Sequence, residues 1–500
     1  MSGRHLSLVV ILAALTLGAA APETTNLVQA AQQRDKARVA ALVKQRADVN
    51  VASADGTTAL HWAAQWGDTE MTALLLKAGA KVDAANRYDA TPLWLAATNG
   101  NAAVVELLLK AGASPNRFAL EGETPLLAAS RSGSLVAVKA LLANGGNVNM
   151  GDQWKAQTAL MWAVGGHDTH PDIVSVLLEA GANPNFRSLG GMTALLFAVR
   201  QDDLESTKLL LKAGATITQA GPGGTNALLV AINNNSPELA HLLIDNGSDP
   251  NAADGSGMTP LHTVVRKRGG YGAAPGGVSG RGNETSKDET WTRGLLEALI
   301  AKGANVNART PLKKIGIPLT IMPSSRPVID DIESGGMTPF WLAANAGDLE
   351  AMRLLKAAGA DPFIPNMEGS TALMVAAGLG YATRFTPSGR REDTEQATIV
   401  AVQQLLDWGF DVNTANEKGQ TSLHGAAMAA FPKVVAFLGT KGARIDLTDT
   451  MGRTPVEVAD DNRTDKYRSN QTLDQKLLEP TYEAVVKIRD SKMSVNRTGK

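Results

Sequence analysis
Apolar residues come along this chain in short clusters separated by polar turns, and two markers set the spacing. One is a Thr that opens an Ala- and Leu-rich segment, as in Gly56-Thr57-Thr58-Ala59-Leu60-His61, with equivalents at Thr91, Thr124, Thr158, Thr193, Asn226, Thr259, Thr338, Thr371, Thr421 and Thr454. The other is the glycine that follows a Leu-rich stretch: Gly79, Gly112, Gly145, Gly181, Gly214, Gly247, Gly303, Gly359, Gly409 and Gly442. Most steps in both series are 33 residues, so one supersecondary unit is repeated. The Thr predicts an N-cap, because its oxygen accepts an orphan N–H of the first turn. Pro92, Pro125, Pro260, Pro339 and Pro455 then fall at the first helical position, where a missing donor is harmless. A short Ala-rich helix follows, as in Leu60–Trp66, and Gly67, Gly100 and Gly133 end it. A second helix carries the Leu stripe, as in Met71–Lys77, and its closing glycine starts a loop such as Ala80-Lys81-Val82-Asp83. Neither pair buries its apolar face alone; stacking builds one long core in which each unit touches only its neighbours.

These residues resemble the ankyrin repeat, T-P-L-H-x-A-A followed by a second helix and A-G-A-x-V-N. Leu60-His61-Trp62-Ala63-Ala64 and Leu75-Leu76-Lys77-Ala78-Gly79-Ala80 carry the likeness, which extends over roughly residues 24–460. It implies an all-α ankyrin-repeat solenoid of stacked helix-turn-helix units with inter-repeat finger loops. Residues 24–54 are expected to be an N-terminal capping repeat, 55–450 ten repeats, 451–490 a C-terminal capping repeat and 491–500 a tail.

Comparing the two marker series locates breaks in the period. Thr58 to Gly79 is 21 residues, whereas Thr259 to Gly303 is 44 and Thr371 to Gly409 is 38. Gly79 to Thr91 is 12, whereas Gly303 to Thr338 is 35. Insertions are therefore expected within 266–291 and 379–396, between the helices of a pair, and within 309–335, in a finger. The first is Gly-rich, the second holds four prolines and the third is charged.

Composition narrows the function. Lys plus Arg (48) nearly cancels Asp plus Glu (49), so no global charge points to nucleic acid or an anionic membrane. The absence of cysteine removes disulfides, thiolate metal sites and Cys nucleophiles. At the N-terminus, Arg4 and His5 precede the apolar run Leu6–Leu17 and the small residues Gly18-Ala19-Ala20-Ala21. This pattern predicts a signal peptide over residues 1–21, too short to span a bilayer, and hence a periplasmic or secreted protein without stable membrane insertion.

Sites for chemistry are few. His167, Asp168, His170 and Asp172 form the one tight His/Asp cluster, in a turn beside Pro171, and read as a solvated loop rather than a metal site. Gly276-Gly277-Val278-Ser279-Gly280-Arg281-Gly282 lacks the Gly-Lys-Ser/Thr ending of a phosphate loop. His61, His262 and His424 share a repeat position with Trp94, Leu127 and Trp341, which no catalytic ladder permits; the resemblance implies structural histidines. No catalytic residue, metal or cofactor is expected.

Binding is the better reading. Four successive fingers pair a cation with an aromatic: Arg87-Tyr88, Arg117-Phe118, Trp154-Lys155 and Phe186-Arg187. The resemblance implies recognition by finger tips and the exposed end of the first helix, where Gln65, Trp66, Thr98, Asn99, Arg131 and Ser132 fall. Trp, Tyr and Arg also dominate binding hot spots. The expectation is a monomeric, non-enzymatic module that binds a protein or peptide by its concave face and fingers, and no nucleic acid. An envelope glycan stacked on the same rings is the alternative, and an enzyme built on the inserted loops a remote one.

Overall fold
The structure, a computed structural model, describes residues 26–119, 122–166, 168–268, 285–311, 335–379, 391–463 and 475–498. The expected signal peptide, the middle of each insertion (269–284, 312–334 and 380–390) and His167 lie outside the described residues. Among the described residues the regular structure is helical, apart from isolated bridges at Ala52–Thr58 and Gly151–Thr158. The chain divides into two compact units, residues 1–222 and 223–500.

The first unit holds six helix pairs. They are α1 (Leu27–Gln32) and α2 (Lys36–Lys44), α3 (Ala59–Trp66) and α4 (Thr69–Lys77), α5 (Pro92–Thr98) and α6 (Ala102–Lys110), then α7 (Pro125–Arg131) and α8 (Leu135–Ala143), α9 (Ala159–Gly165) and α10 (Pro171–Glu179), α11 (Ala194–Arg200) and α12 (Leu204–Lys212). First helices pack on first helices and second on second, giving two rows. The caps are made as the sequence implies: Thr91 Oγ1 accepts from Trp94 N at 3.2 Å and Thr124 Oγ1 from Leu127 N at 3.3 Å. Gly67, Gly100 and Gly133 stop the first helices at φ 66, 66 and 73°, and Asp202 holds the same place at φ 58°. Ala63, Ala96, Ala128, Ala163 and Ala198 of the first row and Leu75, Leu108, Leu141, Leu177 and Leu210 of the second are fully buried. Each leucine contributes roughly 1.5–3 kcal/mol, and the alanines let neighbouring helices approach closely.

A second device ties neighbouring pairs. The Asn of the Val-Asn or Pro-Asn step donates to the carbonyl of the next closing glycine and accepts the N–H two residues beyond it. Asn50 donates to Gly79 O at 3.1 Å and accepts Lys81 N at 2.7 Å. Asn116 does the same with Gly145 O and Asn147 N, Asn149 with Gly181 O and Asn183 N, and Asn185 with Gly214 O and Thr216 N. At one step the residue is Asp83, which accepts Ser114 N at 3.0 Å but has no proton to give.

The second unit also holds six pairs. They are α13 (Ala227–Asn233) and α14 (Pro237–Asp245), α15 (Pro260–Arg268) and α16 (Thr285–Ala301), α17 (Pro339–Ala346) and α18 (Leu349–Ala357), then α19 (Ala372–Ala376) and α20 (Arg391–Asp407), α21 (Ser422–Met428) and α22 (Pro432–Thr440), α23 (Pro455–Arg463) and α24 (Gln475–Thr498). Asn251, Asn307 and Asn413 continue the tie to Gly303, Gly359 and Gly442. Helices reach into three of the expected non-repeat segments. Helix α15 runs to Arg268 and α16 starts at Thr285, so helices take both ends of the segment 266–291. Helix α20 starts at Arg391, inside 379–396, and α24 continues to Thr498, through most of the expected tail. The added turns are built from helix-compatible polar residues, and the basic end Arg266-Lys267-Arg268 suits the negative pole of α15. Arg268 fixes that end: its side chain, 5% exposed, reaches Asp348 at 2.7 Å and Glu350 at 2.8 Å, while Asp348 also caps α18 by accepting Ala351 N.

Candidate functional site
The four cation–aromatic pairs occupy two places on the fingers. Neighbouring fingers of the first unit are joined backbone to backbone at their tips: Arg87 N donates to Asp55 O at 2.8 Å, Gln153 N to Gly122 O at 3.2 Å and Leu189 N to Lys155 O at 2.8 Å. Arg87-Tyr88 and Trp154-Lys155 sit at these tips. Arg87 lies over the Tyr88 ring, 4.8 Å from its centroid, and Trp154 is 73% exposed. Arg117-Phe118 and Phe186-Arg187 come three residues earlier in their fingers. There Arg117 donates to Asp83 O at 3.2 Å and Arg187 to Ala220 O at 2.9 Å, each tying its own finger to a neighbour, and both phenyl rings are half-buried. Among the described residues the finger tips also carry Leu189, which is 77% exposed and is not part of a cation–aromatic pair in sequence.

The row of first helices adds a second set of rings. Trp62 and Trp66 stack one helical turn apart, with centroids 5.7 Å apart and planes at 23°. Arg34, just after α1, lies on Trp66 with its guanidinium carbon 4.0 Å from the centroid. Three layers further on, the motif recurs: Arg131 lies over Trp162 at 5.4 Å and pairs with Glu123 at 2.6 Å, whose side chain is only 6% exposed. Arg200 covers Phe197, on its own helix, at 5.3 Å. The sequence reading thus finds Trp66 and Arg131 but misses Arg34, Trp62, Trp162, Phe197 and Arg200. The usable signal was spacing: Arg34 to Trp66 and Arg131 to Trp162 are separated by almost one repeat.

The indole N–H groups of Trp66, Trp94 and Trp162 have no hydrogen-bond partner among the described residues. Trp341, at the repeat position of Trp94, does have one, donating to Ser370 O at 2.8 Å. Other positions at the exposed helix end are already in use. Asn99 donates to Gln65 O at 3.3 Å, Ser132 to Ala97 O at 3.0 Å and Gln201 to Gly166 O at 2.6 Å, so each supplies the preceding first helix with a partner for an orphan carbonyl.

The recurring histidines are fully engaged. Nδ1 of His61 accepts the Thr58 backbone N–H at 3.1 Å and Nε2 donates to Ala90 O at 3.0 Å. His262 and His424 repeat this with Thr259 and Met337 and with Thr421 and Arg453. Burial pushes all three below the ordinary histidine value, and neither ring nitrogen is left for a metal or substrate. His170 packs against Gly133, whose place in the turn leaves no room for a Cβ. Among the described residues no three His, Asp or Glu side chains are grouped to hold a metal ion.

Known proteins place this architecture. The family model described as Ankyrin repeats (3 copies) matches residues 27–119, 116–188 and 195–273, and that for a single Ankyrin repeat matches residues 335–367. Among solved structures, the crystal structure of the human ASB11 ankyrin repeat domain is similar at 29% identity, covering 46% of this chain and 100% of that one, with a TM-score of 0.40. With these matches falling on the helix pairs described above, the chain belongs to the ankyrin-repeat family.

Proposed function
We propose that this protein is an exported, non-enzymatic scaffold that binds a protein or peptide through the finger tips and first-helix row of residues 26–222. Ankyrin repeats generally mediate protein–protein interaction. The observation that carries the reading to this surface is Trp154 and Leu189, large apolar side chains 73% and 77% exposed on neighbouring fingers joined by the Leu189–Lys155 backbone bond. Two exposed apolar groups on joined fingers, with Lys155 beside Trp154 and the half-buried Phe186 ring on the Leu189 finger, have the composition of a hot spot with a polar rim. Export is supported by the apolar run Leu6–Leu17 and the small residues after it. Among the described residues no helix is long and apolar enough to cross a membrane. A monomer that takes up no nucleic acid fits the balanced charge.

The test is affinity capture from the cell envelope with the full chain beside a Tyr88→Ala/Trp154→Ala/Leu189→Ser variant. Loss of the captured protein, with helical circular dichroism unchanged, is the expected result. Undiminished capture refutes the surface, and elution by soluble oligosaccharide favours a glycan ligand instead. Recovery of the chain, uncut, from the cytosol alone overturns export.

A further inference from the structure
We infer that the finger Gly221–Thr225 is a hinge in the chain, at the place where its two compact units, residues 1–222 and 223–500, meet in sequence. Among the described residues every other finger is closed across its base by a backbone bond, from the N–H that opens the turn to the carbonyl just before the helix-capping residue. Ser53 N reaches Thr57 O, Asn86 N reaches Ala90 O and Ser188 N reaches Met192 O, and in the second unit Asp254 N reaches Met258 O, all at 2.9–3.2 Å. The matching pair, Gly221 and Thr225, makes no such bond among the described residues. The sequence gives the reason. The opening position is usually Asn, Asp or Ser, whose side chain accepts a second N–H across the turn. Asn86 does so from Ala90 N at 3.1 Å and Asp254 from Met258 N at 3.0 Å, whereas Gly221 has no side chain to offer.

The two arms of this open finger are held separately. On the near side Arg187 donates to Ala220 O at 2.9 Å, within the first unit. On the far side Gly255 N donates to Gly223 O at 2.7 Å, within the second. Between them stand Gly221 and Pro222. Pro222 also takes the place of Arg87, Gln153 and Leu189, whose N–H groups join a finger tip of the first unit to the one before it; a proline has no N–H to give. The Asn of the amide tie is here Thr218, which lacks the amide. Gly223 and Gly224 follow in left-handed conformations at φ 65 and 74°, and residues 222–224 are exposed, so rotation of the backbone meets little steric resistance. Three recurring ties thus fail within one loop, and a few loop residues free to change φ and ψ are what a hinge requires.

The chain has no cysteine, so pairs of introduced cysteines take spin labels uniquely. Double electron–electron resonance on the full chain compares Lys139→Cys/Glu238→Cys, three helix pairs apart along the chain and spanning the hinge, with Lys44→Cys/Lys139→Cys, three helix pairs apart inside the first unit; all three residues are exposed. The distance distribution across the hinge should be at least about two-fold broader than the control, because rigid-body motion adds to the spread of the labels. Gly221→Asp/Pro222→Ala, which supplies the closing side chain and the missing N–H, should narrow it to the control width. Equal widths in the chain with its own finger, or a width that the double variant leaves unchanged while its melting is native, overturn the inference. Should the double variant not fold, Pro222→Ala alone should narrow the distribution in part, and an unchanged width counts against the hinge. Hydrogen exchange gives a second measure without any substitution: the Gly221 N–H should exchange at least about ten-fold faster, after correction for neighbouring residues, than the bonded Asp254 N–H. Equal protection of the two overturns the hinge.

Discussion

Replacing Asp83 with Asn should stabilise the first unit. At four neighbouring steps an Asn amide donates to the next closing glycine at 2.8–3.1 Å and accepts a backbone N–H at 2.6–2.7 Å. Asp83 keeps only the second of these bonds, to Ser114 N at 3.0 Å, because a carboxylate has no N–H to offer the glycine carbonyl. A half-exposed hydrogen bond gained is worth about 0.5–1.5 kcal/mol. Exchanging a charged acceptor for a neutral one at Ser114 returns part of that gain. The balance is about +0.5 to +1 kcal/mol, or a rise of about 1–4 °C in the melting temperature of a unit this size. The reverse change, Asn149→Asp, removes the donor from Gly181 O, bonded at 3.1 Å, and should cost about 1–2 kcal/mol. Urea and thermal unfolding by circular dichroism, with hydrogen exchange over residues 108–119 to localise the effect, would measure both. If Asp83→Asn melts at or below the wild type while Asn149→Asp melts normally, the amide ladder is not a source of stability and the reasoning is wrong.

Acid should weaken both units, unequally. Burial lowers the folded-state pKa of His61, His262 and His424 below 6.5, so the stability they confer is complete above about pH 6.5 and is lost as pH falls through the folded values. One such histidine gives the first unit a slope of up to ~1.4 kcal/mol per pH unit below 6.5, and two give the second up to ~2.7 kcal/mol; urea midpoints that do not move between pH 7.5 and 5.5 would contradict this. Asp202→Gly should raise stability by about 0.5–1 kcal/mol by relieving a left-handed residue at φ 58°, and a lowered melting temperature would show that the aspartate contributes more than its strain. Arg268→Ala should cost the second unit about 3 kcal/mol by leaving Asp348 without its forked partner, with Arg268→Lys recovering less than half; a loss under about 1 kcal/mol would mean water replaces the guanidinium.

The helices were legible because their signals are local. A Thr cap, a Pro in the first turn and a Gly stop act within ten residues, and Thr91 and Gly100 bracket α5 in the structure as they do in the sequence. The insertions were legible as lengths only. Counting from Thr259 to Gly303 gives the number of added residues, but not that those from Thr285 onward extend α16. That choice depends on whether the added turns find support on the neighbouring helices, information the markers do not carry. The Asn ladder and the arginine-covered tryptophans were illegible for a related reason. Their partners lie about one repeat apart, and an Asn or Arg taken singly has the identity of any surface residue.

Where the columns of the repeat break, the physical demands of stacking point to function. In a solenoid each position must first satisfy its neighbours, and in the first unit Asn99, Ser132 and Gln201 do so at the end of the first helix by donating to the helix before. Trp66 stands in that column and makes no such bond; its indole N–H has no acceptor among the described residues, and Arg34 lies on its ring. An Asn there would cap α1, a gain of about 0.5–1.5 kcal/mol that offsets much of what the half-buried ring contributes by stacking on Trp62. Trp66→Asn should therefore change melting little while weakening partner capture. If it lowers the melting temperature by several degrees, Trp66 is a packing residue, the Arg34 stack is part of the core, and the binding row begins no earlier than Arg131.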